Sequence, residues 1–306
     1  MPTNVGGEME LRHIKYFLAV AEELNFTRAA RRVGIGQPPL SNQIRDLEEE
    51  IGAPLFRRLP HGAELTEAGQ VFLPEARTIM AKAAHAKALA LRAGRGELGR
   101  LRLGFTGSAA FSPIVPSAVR SFRRAYPEID LTLQEADTTL LLERLDAEEL
   151  DAVFIRPGRA DPPGFRTHSL GEDAMVIALP SGHPLADAAA LPLSALSAEP
   201  FVLFPREAGP SLFDGIITAC RHAGFEPILG QIAPQITSLA NLVAVELGIS
   251  VVPSAVAQIR VPGVTYIPIS GDGPVARLAL ATRRDERSAV VQNFVARVLA
   301  DKNNPR

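Results

Sequence analysis

Residues 37–52 read QPPLSNQIRDLEEEIG, and the fold of the amino-terminal part of the chain turns on this stretch. Leu40, Ile44, Leu47 and Ile51 recur at helical spacing and form an apolar stripe. Ser41, Asn42 and Arg45 point the other way, and side chains of these types hydrogen-bond to base edges or phosphates. Gln37 is placed to cap the helix. Pro38 and Pro39 fall in its first turn, where a missing N–H costs little because those donors have no intrahelical partner. A helix whose polar amino-terminal end projects from a small apolar bundle has the geometry that enters a DNA major groove.

Upstream, Leu11, Ile14, Phe17, Leu18, Ala21 and Leu24 predict the buried face of a first helix. Thr27 is placed to cap a short second one, with Ala29, Ala30 and Val33 facing inward. Gly34-Ile35-Gly36 permits a sharp turn, with the isoleucine plugging it. Helix, capped helix, glycine turn and polar-faced helix make a helix-turn-helix. Downstream, residues 55–58 and 63–65 flank Pro60-His61-Gly62 and read as a two-stranded wing with a basic edge. Over residues 26–61, Arg28, Arg31, Arg32, Arg45, Arg57 and Arg58 oppose Asp46, Glu48, Glu49 and Glu50. Charge runs usually coat solvated faces, so Arg28, Arg31 and Arg32 also fit a plain solvated helix. The net charge of −2 provides no global basic field, which leaves DNA binding to local placement and a modest salt dependence.

Residues 9–69, from MELRHIKYFLAVAEELNFTRAA through QPPLSNQIRDLEEEIGAPLFRR to LTEAG, resemble the DNA-binding domain of the LysR-type transcriptional regulators. The matches run in order and without gaps, and the rest of the chain has that family's length and element order. Within the family, the MELRHIKYF opening and the paired prolines are most similar to regulators of aromatic-compound catabolism that respond to benzoate and muconate. Those relatives often carry arginine directly after the serine, where this chain has Asn42; asparagine prefers adenine edges and arginine guanine. The resemblance makes Thr27, Arg28, Arg31, Arg32, Gln37, Pro38, Pro39, Ser41, Asn42, Arg45, Arg58 and His61 the candidate contacts to double-stranded DNA.

The fold class that follows is a multidomain α+β chain. A winged helix-turn-helix takes residues 1–65, a linker helix 66–94, and a two-lobed α/β effector domain, like those of periplasmic solute receptors, 95–306. Thr66 is placed to cap the linker helix and Glu67 suits its positive end. At 1.5 Å per residue it spans ~43 Å, with a narrow seam of Phe72, Ala76, Ile79, Met80, Ala83 and Ala90. Such a seam asks for an identical partner, and the family implies antiparallel pairing into homodimers and homotetramers. Pro74 should bend the helix, and Gly94, Gly96 and Gly99 read as a hinge. From residue 100 strands and helices alternate, with strands at 101–105, 129–134, 152–155, 175–179, 201–204, 249–252, 264–267 and 278–281. Helices fall at 115–125, 138–146, 212–223, 238–246 and 285–299. The pattern predicts an α/β arrangement with mostly parallel strands. The resemblance divides it into one lobe of 100–168 plus 268–306 and another of 169–267.

A cleft between such lobes is where a small molecule sits, and free backbone donors at helix amino termini favour an anion. Thr106-Gly107-Ser108 ends the first strand, where Gly107 admits a ligand and Ser108 can donate to a carboxylate. Thr138 opens a helix, and Arg156 can pair bidentately with an acid. Ser108, Thr138 and Arg156 fall where the benzoate and muconate responders place effector contacts. Phe204 and Pro205 form the opposite wall, and Ile236 and Thr237 the other edge. Ser108 and Thr138 also read as helix caps, Ser238 as another, and Arg156 as an ion-pair partner of Glu135 or Asp137. Arg159 and Arg206 read as solvated.

The remaining composition narrows the classes. The chain has 306 residues and 46% hydrophobic content, enough for more than one core. MPTNVGGE carries no apolar run like that of a signal peptide, and no segment approaches the ~18–20 apolar residues of a membrane span. A cytoplasmic protein with no membrane partner is the expectation, with residues 1–8 either a disordered extension or a start-site artefact ahead of the family-like start at Met9. The single cysteine, Cys220, reads as a buried thiol, and the six histidines show no metal-like pairing. No phosphate loop, G-x-S-x-G or H-E-x-x-H is present, so neither catalysis, a metal nor a cofactor is expected. An exported solute receptor would share the cleft but has no use for residues 9–65. An enzyme would need a nucleophile or an acid–base pair that is not legible here. The resemblance implies an activator, responsive to a small organic acid, that contacts RNA polymerase on an interrupted palindromic operator.

Overall fold

The computed structural model describes residues 9–158 and 160–303. The readings of residues 1–8 as an extension or a start-site artefact and of Arg159 as solvated lie outside these residues. The chain divides into two compact units, with the boundary between Leu91 and Arg92.

The first unit holds α1 (Leu11–Glu23), α2 (Phe26–Val33), α3 (Gln37–Ile51), β1 (Phe56–Leu59), β2 (Gly62–Leu65) and most of α4 (Glu67–Gly94). Its core gathers Ile14, Phe17, Val20, Ala29, Ala30, Leu40, Ile44, Leu47, Leu55 and Ala76. The Phe17 ring lies 5.2 Å from that of Phe56 and 4.9 Å from that of Phe72, within the range of favourable aromatic pairs. The α1 face is narrower than its sequence suggests. Leu11 and Leu24 are exposed, while Val20 and His13 turn inward, because Leu11 opens the helix and Leu24 leaves it in the left-handed region at φ 46°. Ile51 is exposed as well. The chain turns away at Gly52 and brings Leu55 and Phe56 into the core instead.

β1 and β2 pair antiparallel from Phe56↔Leu65 to Leu59↔Gly62 and form the wing. Thr66 ties it to α4, accepting the Gly69 N–H at 3.0 Å and donating to the Pro54 carbonyl at 2.6 Å. On α4, Ala76 is buried, Phe72, Ile79, Met80 and Ala83 are half-buried, and Ala90 is exposed. Pro74 lies inside the helix, and the Thr78 hydroxyl donates to its carbonyl at 3.0 Å.

The second unit holds β3 (Gly99–Phe105), α5 (Gly107–Ala110), α6 (Ile114–Ala125), β4 (Ile129–Glu135), α7 (Thr138–Asp146), β5 (Ala152–Ile155) and β6 (Phe165–Pro180). It continues with β7 (Pro200–Leu203), α8 (Pro210–His222), β8 (Ile228–Ile232), α9 (Leu239–Ala244), β9 (Ser250–Pro253), β10 (Val264–Pro268), β11 (Val275–Arg283) and α10 (Ala289–Asn303). The main sheet runs β10-β6-β11-β5-β3-β4, with β9 also on β6, and β7 and β8 form a separate pair.

The sheet is mixed rather than mostly parallel. β3 pairs parallel with β4 and β5, but β11 pairs antiparallel with β5 and β6, and β6 antiparallel with β9 and β10. The cause is β6, expected only from residue 175, which begins ten residues earlier at Phe165 and serves both lobes. Its first part pairs with β11 as far as Ala174↔Val275, and its second part pairs with β9 from Met175↔Pro253 onward. One core surrounds Leu101, Leu103, Phe122, Phe154, Leu280 and Phe294, and another Leu179, Phe201, Ile216, Val243 and Val251.

Gly96 is a close contact rather than a hinge. It is buried, and an added Cβ would lie 2.6 Å from backbone atoms of Ala289 and Val290. Asn293 donates to the Arg95 and Gly96 carbonyls, at 2.8 and 3.3 Å. Among the described residues no helix is long and apolar enough to cross a membrane.

Candidate functional site

Two sites follow from this scaffold, one in each unit. In the first, the N-cap of α3 is Gly36, not Gln37, and Pro38 and Pro39 sit in its first turn. Gln37 is already helical and its amide donates to the Ser41 hydroxyl at 2.8 Å, so the pair is positioned before any DNA arrives. Leu40, Ile44 and Leu47 are buried beneath. Pro38, Pro39, Asn42 and Arg45 are exposed, and Gln37 and Ser41 are half-buried. Arg45 pairs loosely with Glu49 one turn on, at 3.7 Å.

The cap of α2 is Asn25, which accepts the Thr27 and Arg28 N–H groups at 3.0 Å each. Thr27 therefore lies inside the helix and does not cap it; asparagine at the preceding position holds the extended backbone that an N-cap needs. Thr27, Arg28, Arg31 and Arg32 are exposed. Arg28 pairs with Glu23 at 3.2 Å, and Arg32 with Glu22 at 2.5 Å and Glu23 at 3.4 Å. In the wing, Arg58 stacks over the Phe26 ring at 4.8 Å and His61 is exposed at the turn.

The residue that sequence reasoning missed is Glu48. Its carboxylate accepts the Leu55 and Phe56 N–H groups at 2.7 and 3.0 Å. It thereby binds the end of α3 to the start of the wing by charge-assisted bonds. The only sequence signal for it was an acid among acids.

The second site is a cavity of about 550 Å³ in the second unit, lined by Thr106, Gly107, Ser108, Glu135, Ala136, Asp137, Thr138, Leu140, Arg156, Phe204, Ala208, Gly209, Leu212, Pro234, Gln235 and Ile236. Six of the residues expected there, Gly107, Ser108, Thr138, Arg156, Phe204 and Ile236, meet on its wall. Pro205 and Thr237 are not on the lining, although a Cβ on Gly107 would come within 3.6 Å of the Thr237 methyl. Thr138 is not a cap, since Asp137 accepts the Leu140 N–H at 2.8 Å and caps α7. Ser108 is not one either, because the N-cap position of α5 is Thr106. Ser238 makes no side-chain cap bond to α9. At the rim, the Thr139 hydroxyl donates to the Glu207 carbonyl at 3.0 Å. Outside the cavity Arg206 is exposed but paired bidentately with Asp214, at 2.7 Å on both contacts.

Arg156 is built into the fold more deeply than a simple ligand anchor. Its side chain is 3% exposed and pairs with Asp173 at 2.6 Å, not with Glu135 or Asp137. It also donates to the Ala276 carbonyl at 3.0 Å and the Ser108 carbonyl at 3.2 Å. Burial pulls the guanidinium pKa down, and the charge and hydrogen bond of Asp173 oppose the shift. Glu135 and Asp137 add negative charge to the lining. The donors on the cavity wall are thus mainly neutral: the hydroxyls of Ser108 and Thr138, and the Gly107 and Ser108 amides at the start of α5. Those two amides make no hydrogen bond to another described residue. No described His, Cys, Asp or Glu cluster could hold a metal ion.

A helix with an exposed polar face on a winged bundle, followed by a two-lobed α/β unit enclosing a cavity, defines a DNA-binding protein with a small-molecule domain. The model for the bacterial regulatory helix-turn-helix protein, lysR family, matches residues 11–70, and that for the LysR substrate binding domain matches residues 94–302. The chain belongs to the LysR family of transcriptional regulators, and like its relatives it is a regulator and not an enzyme. It is 40% identical over 287 residues to the HTH-type transcriptional regulator BudR of Raoultella terrigena, covering 94% of this chain and 99% of that one. A probable cat1 operon transcriptional activator of Acinetobacter lwoffii is 32% identical over 286 residues, covering 92% and 93%. Among solved structures, full-length CbnR complexed with its target DNA has a TM-score of 0.78 at 28% identity, covering 96% of this chain and all of that one.

Proposed function

We propose that this LysR-type regulator is a transcriptional activator switched by a small organic acid, aromatic or dicarboxylic, bound in the cavity beside α5. In this reading residues 1–65 bind DNA, 66–94 pair protomers, and 95–306 sense the effector, with lobes of 100–168 plus 268–306 and of 169–267. Thr27, Arg28, Arg31, Arg32, Gln37, Pro38, Pro39, Ser41, Asn42, Arg45, Arg58 and His61 contact the operator. Gly107, Ser108, Thr138, Arg156, Phe204 and Ile236 hold the effector, with Pro205 and Thr237 behind them. The observation that carries the effector half is the 550 Å³ cavity into which α5 opens with two unengaged amides, a polarity that favours negative charge. For the DNA half it is the exposed face of Asn42 and Arg45 above a fully buried stripe.

Homodimers or homotetramers in the cytoplasm would present recognition helices to successive major grooves of an interrupted palindrome, about 34–36 Å apart or multiples of it. Exposed Val71, Leu89 and Leu91 on α4 support pairing through that helix. Exposed Leu133 on edge strand β4 and Ile228, Leu229 and Ile232 on edge strand β8 support further contacts between copies. The relative named as an operon activator supports activation, which includes contact with RNA polymerase. Effector and operator would be coupled reciprocally by about 1–3 kcal/mol.

Gel-shift and footprinting on the DNA upstream of the protein's own gene test this reading, with and without benzoate, cis,cis-muconate, succinate and propionate. Specific binding whose footprint changes with an acid is the expected result. Absence of specific binding, or indifference to every acid, overturns the corresponding half.

A further inference from the structure

The arginines assigned to DNA do not all stand free. Arg28 and Arg32 lie one turn apart on α2, and both reach back to the carboxyl end of α1. Glu23 pairs with Arg28 at 3.2 Å and with Arg32 at 3.4 Å, and Glu22 pairs with Arg32 at 2.5 Å. Arg28 also donates to the backbone carbonyl of Glu23. Arg31, between them in sequence, makes no ion pair among the described residues. A carboxylate offers a guanidinium the same kind of paired acceptor oxygens as a phosphate does. In a docked helix-turn-helix, the helix ahead of the recognition helix crosses the sugar–phosphate backbone. Phosphates arriving there meet arginines that already hold acids.

Resting on the DNA reading of the first unit, we infer that Glu22 and Glu23 belong to the DNA interface as built-in stand-ins for phosphate. They occupy Arg28 and Arg32 in the free protein and thereby limit how strongly the chain holds any duplex. A cation that brings its own counter-ion displaces fewer ions from the DNA, and the salt slope falls by about 0.9 for each phosphate contact forgone. Both acids also lie within a Debye length, about 8–10 Å, of any phosphate that touches these arginines, and they repel it. The pairs are exposed, with the Arg28 side chain 63% and that of Arg32 51% accessible, so they hold weakly and a phosphate can compete for the cations. Phosphates carry no base identity. The acids therefore weaken operator and bulk DNA alike, and the choice between them is left to α3.

The test is the double variant Glu22→Gln with Glu23→Gln, which keeps both side-chain sizes and removes both charges. Fluorescence anisotropy of the full-length protein is measured over a salt series on two labelled duplexes. One carries the DNA upstream of the protein's own gene and the other the same bases scrambled. The variant should bind both duplexes more tightly at low salt, with the ratio between them unchanged. Its log–log salt slope should steepen by about one to two, so that between about 50 and 200 mM salt it loses up to about tenfold more affinity than wild type. Glu50→Gln with Glu75→Gln makes the same charge change in the same unit, at exposed residues without an ion pair among the described residues, and should leave the slope near that of wild type. An unchanged slope in the Glu22 and Glu23 variant would overturn the inference, as would weaker binding, which would mean that the acids aim the arginines at DNA. Equal steepening in the control pair would reduce the effect to overall charge and overturn it too. In each of these cases specific binding by wild type leaves the DNA reading intact. Wild type that prefers neither duplex would overturn the DNA reading itself, and this assignment with it.

Discussion

Arg156→Ala removes a cation whose partners cannot follow it. In the native protein the guanidinium donates to the Ser108 and Ala276 carbonyls and forms an ion pair with the Asp173 carboxylate. Removing one partner of a buried ion pair costs about 3–5 kcal/mol, mostly because the other charge is stranded. Here Asp173 is 23% exposed, so water recovers part of its solvation and the lower end, about 3 kcal/mol, applies. For a unit of this size each kcal/mol lowers the melting temperature by roughly 2–4 °C, giving a fall of about 6–12 °C. Differential scanning calorimetry of the full chain measures it, on the transition assigned to the second unit by limited proteolysis. The double variant Arg156→Met with Asp173→Leu removes both charges and should recover most of the loss. If Arg156→Ala melts within about 1 °C of wild type, less than a kcal/mol on the same scale, the clasp is not structural. If the double variant is as unstable as the single one, the stranded charge is not the cause.

Two further outcomes are expected. Glu48→Ala strands the amides of Leu55 and Phe56, both of which are buried residues; at about 1–3 kcal/mol per unsatisfied buried donor, operator binding should fall by an order of magnitude or more. Glu48→Gln, which keeps one acceptor oxygen, should recover part of it in the same gel shift, and an unchanged affinity in the alanine variant would exclude the positioning role. The Cys220 thiol is buried and pushed up to about 11 by burial, with the Glu226 charge adding to the effect. At pH 8 the thiolate is then on the order of one molecule in a thousand, so a disulfide reagent should label the native protein far more slowly than the same chain in guanidinium. Rapid labelling of the native state would show that the thiol is accessible.

Periodicity made the first unit legible. A helical stripe specifies which residues face inward, and Leu40, Ile44 and Leu47 are buried while Asn42 and Arg45 are not. The bounds of α7, Thr138–Asp146, and of β5, Ala152–Ile155, also follow from local pattern. Interactions between residues distant in sequence were not legible. Arg156 finds Asp173 because β6 extends back to Phe165, but FRTHSLGEDA is polar and carries Gly171, so it reads as a loop until β11 is laid beside it. The grip of Glu48 on the wing crosses a turn and depends on where two amides come to lie. Gly96 read as a flexible link because sequence shows its missing side chain and not the Ala289 backbone that takes the space. Asn25 could have been found, since asparagine caps helices as well as threonine does.

The handover on β6 leaves one peptide between two hydrogen-bonded ladders. One set of ladder bonds ends at Ala174 and the other begins at Met175. Asp173 stands next to that junction and is paired with Arg156, which also donates to the carbonyl of Ser108. A single guanidinium therefore ties the wall of the cavity to the place where this strand changes partners.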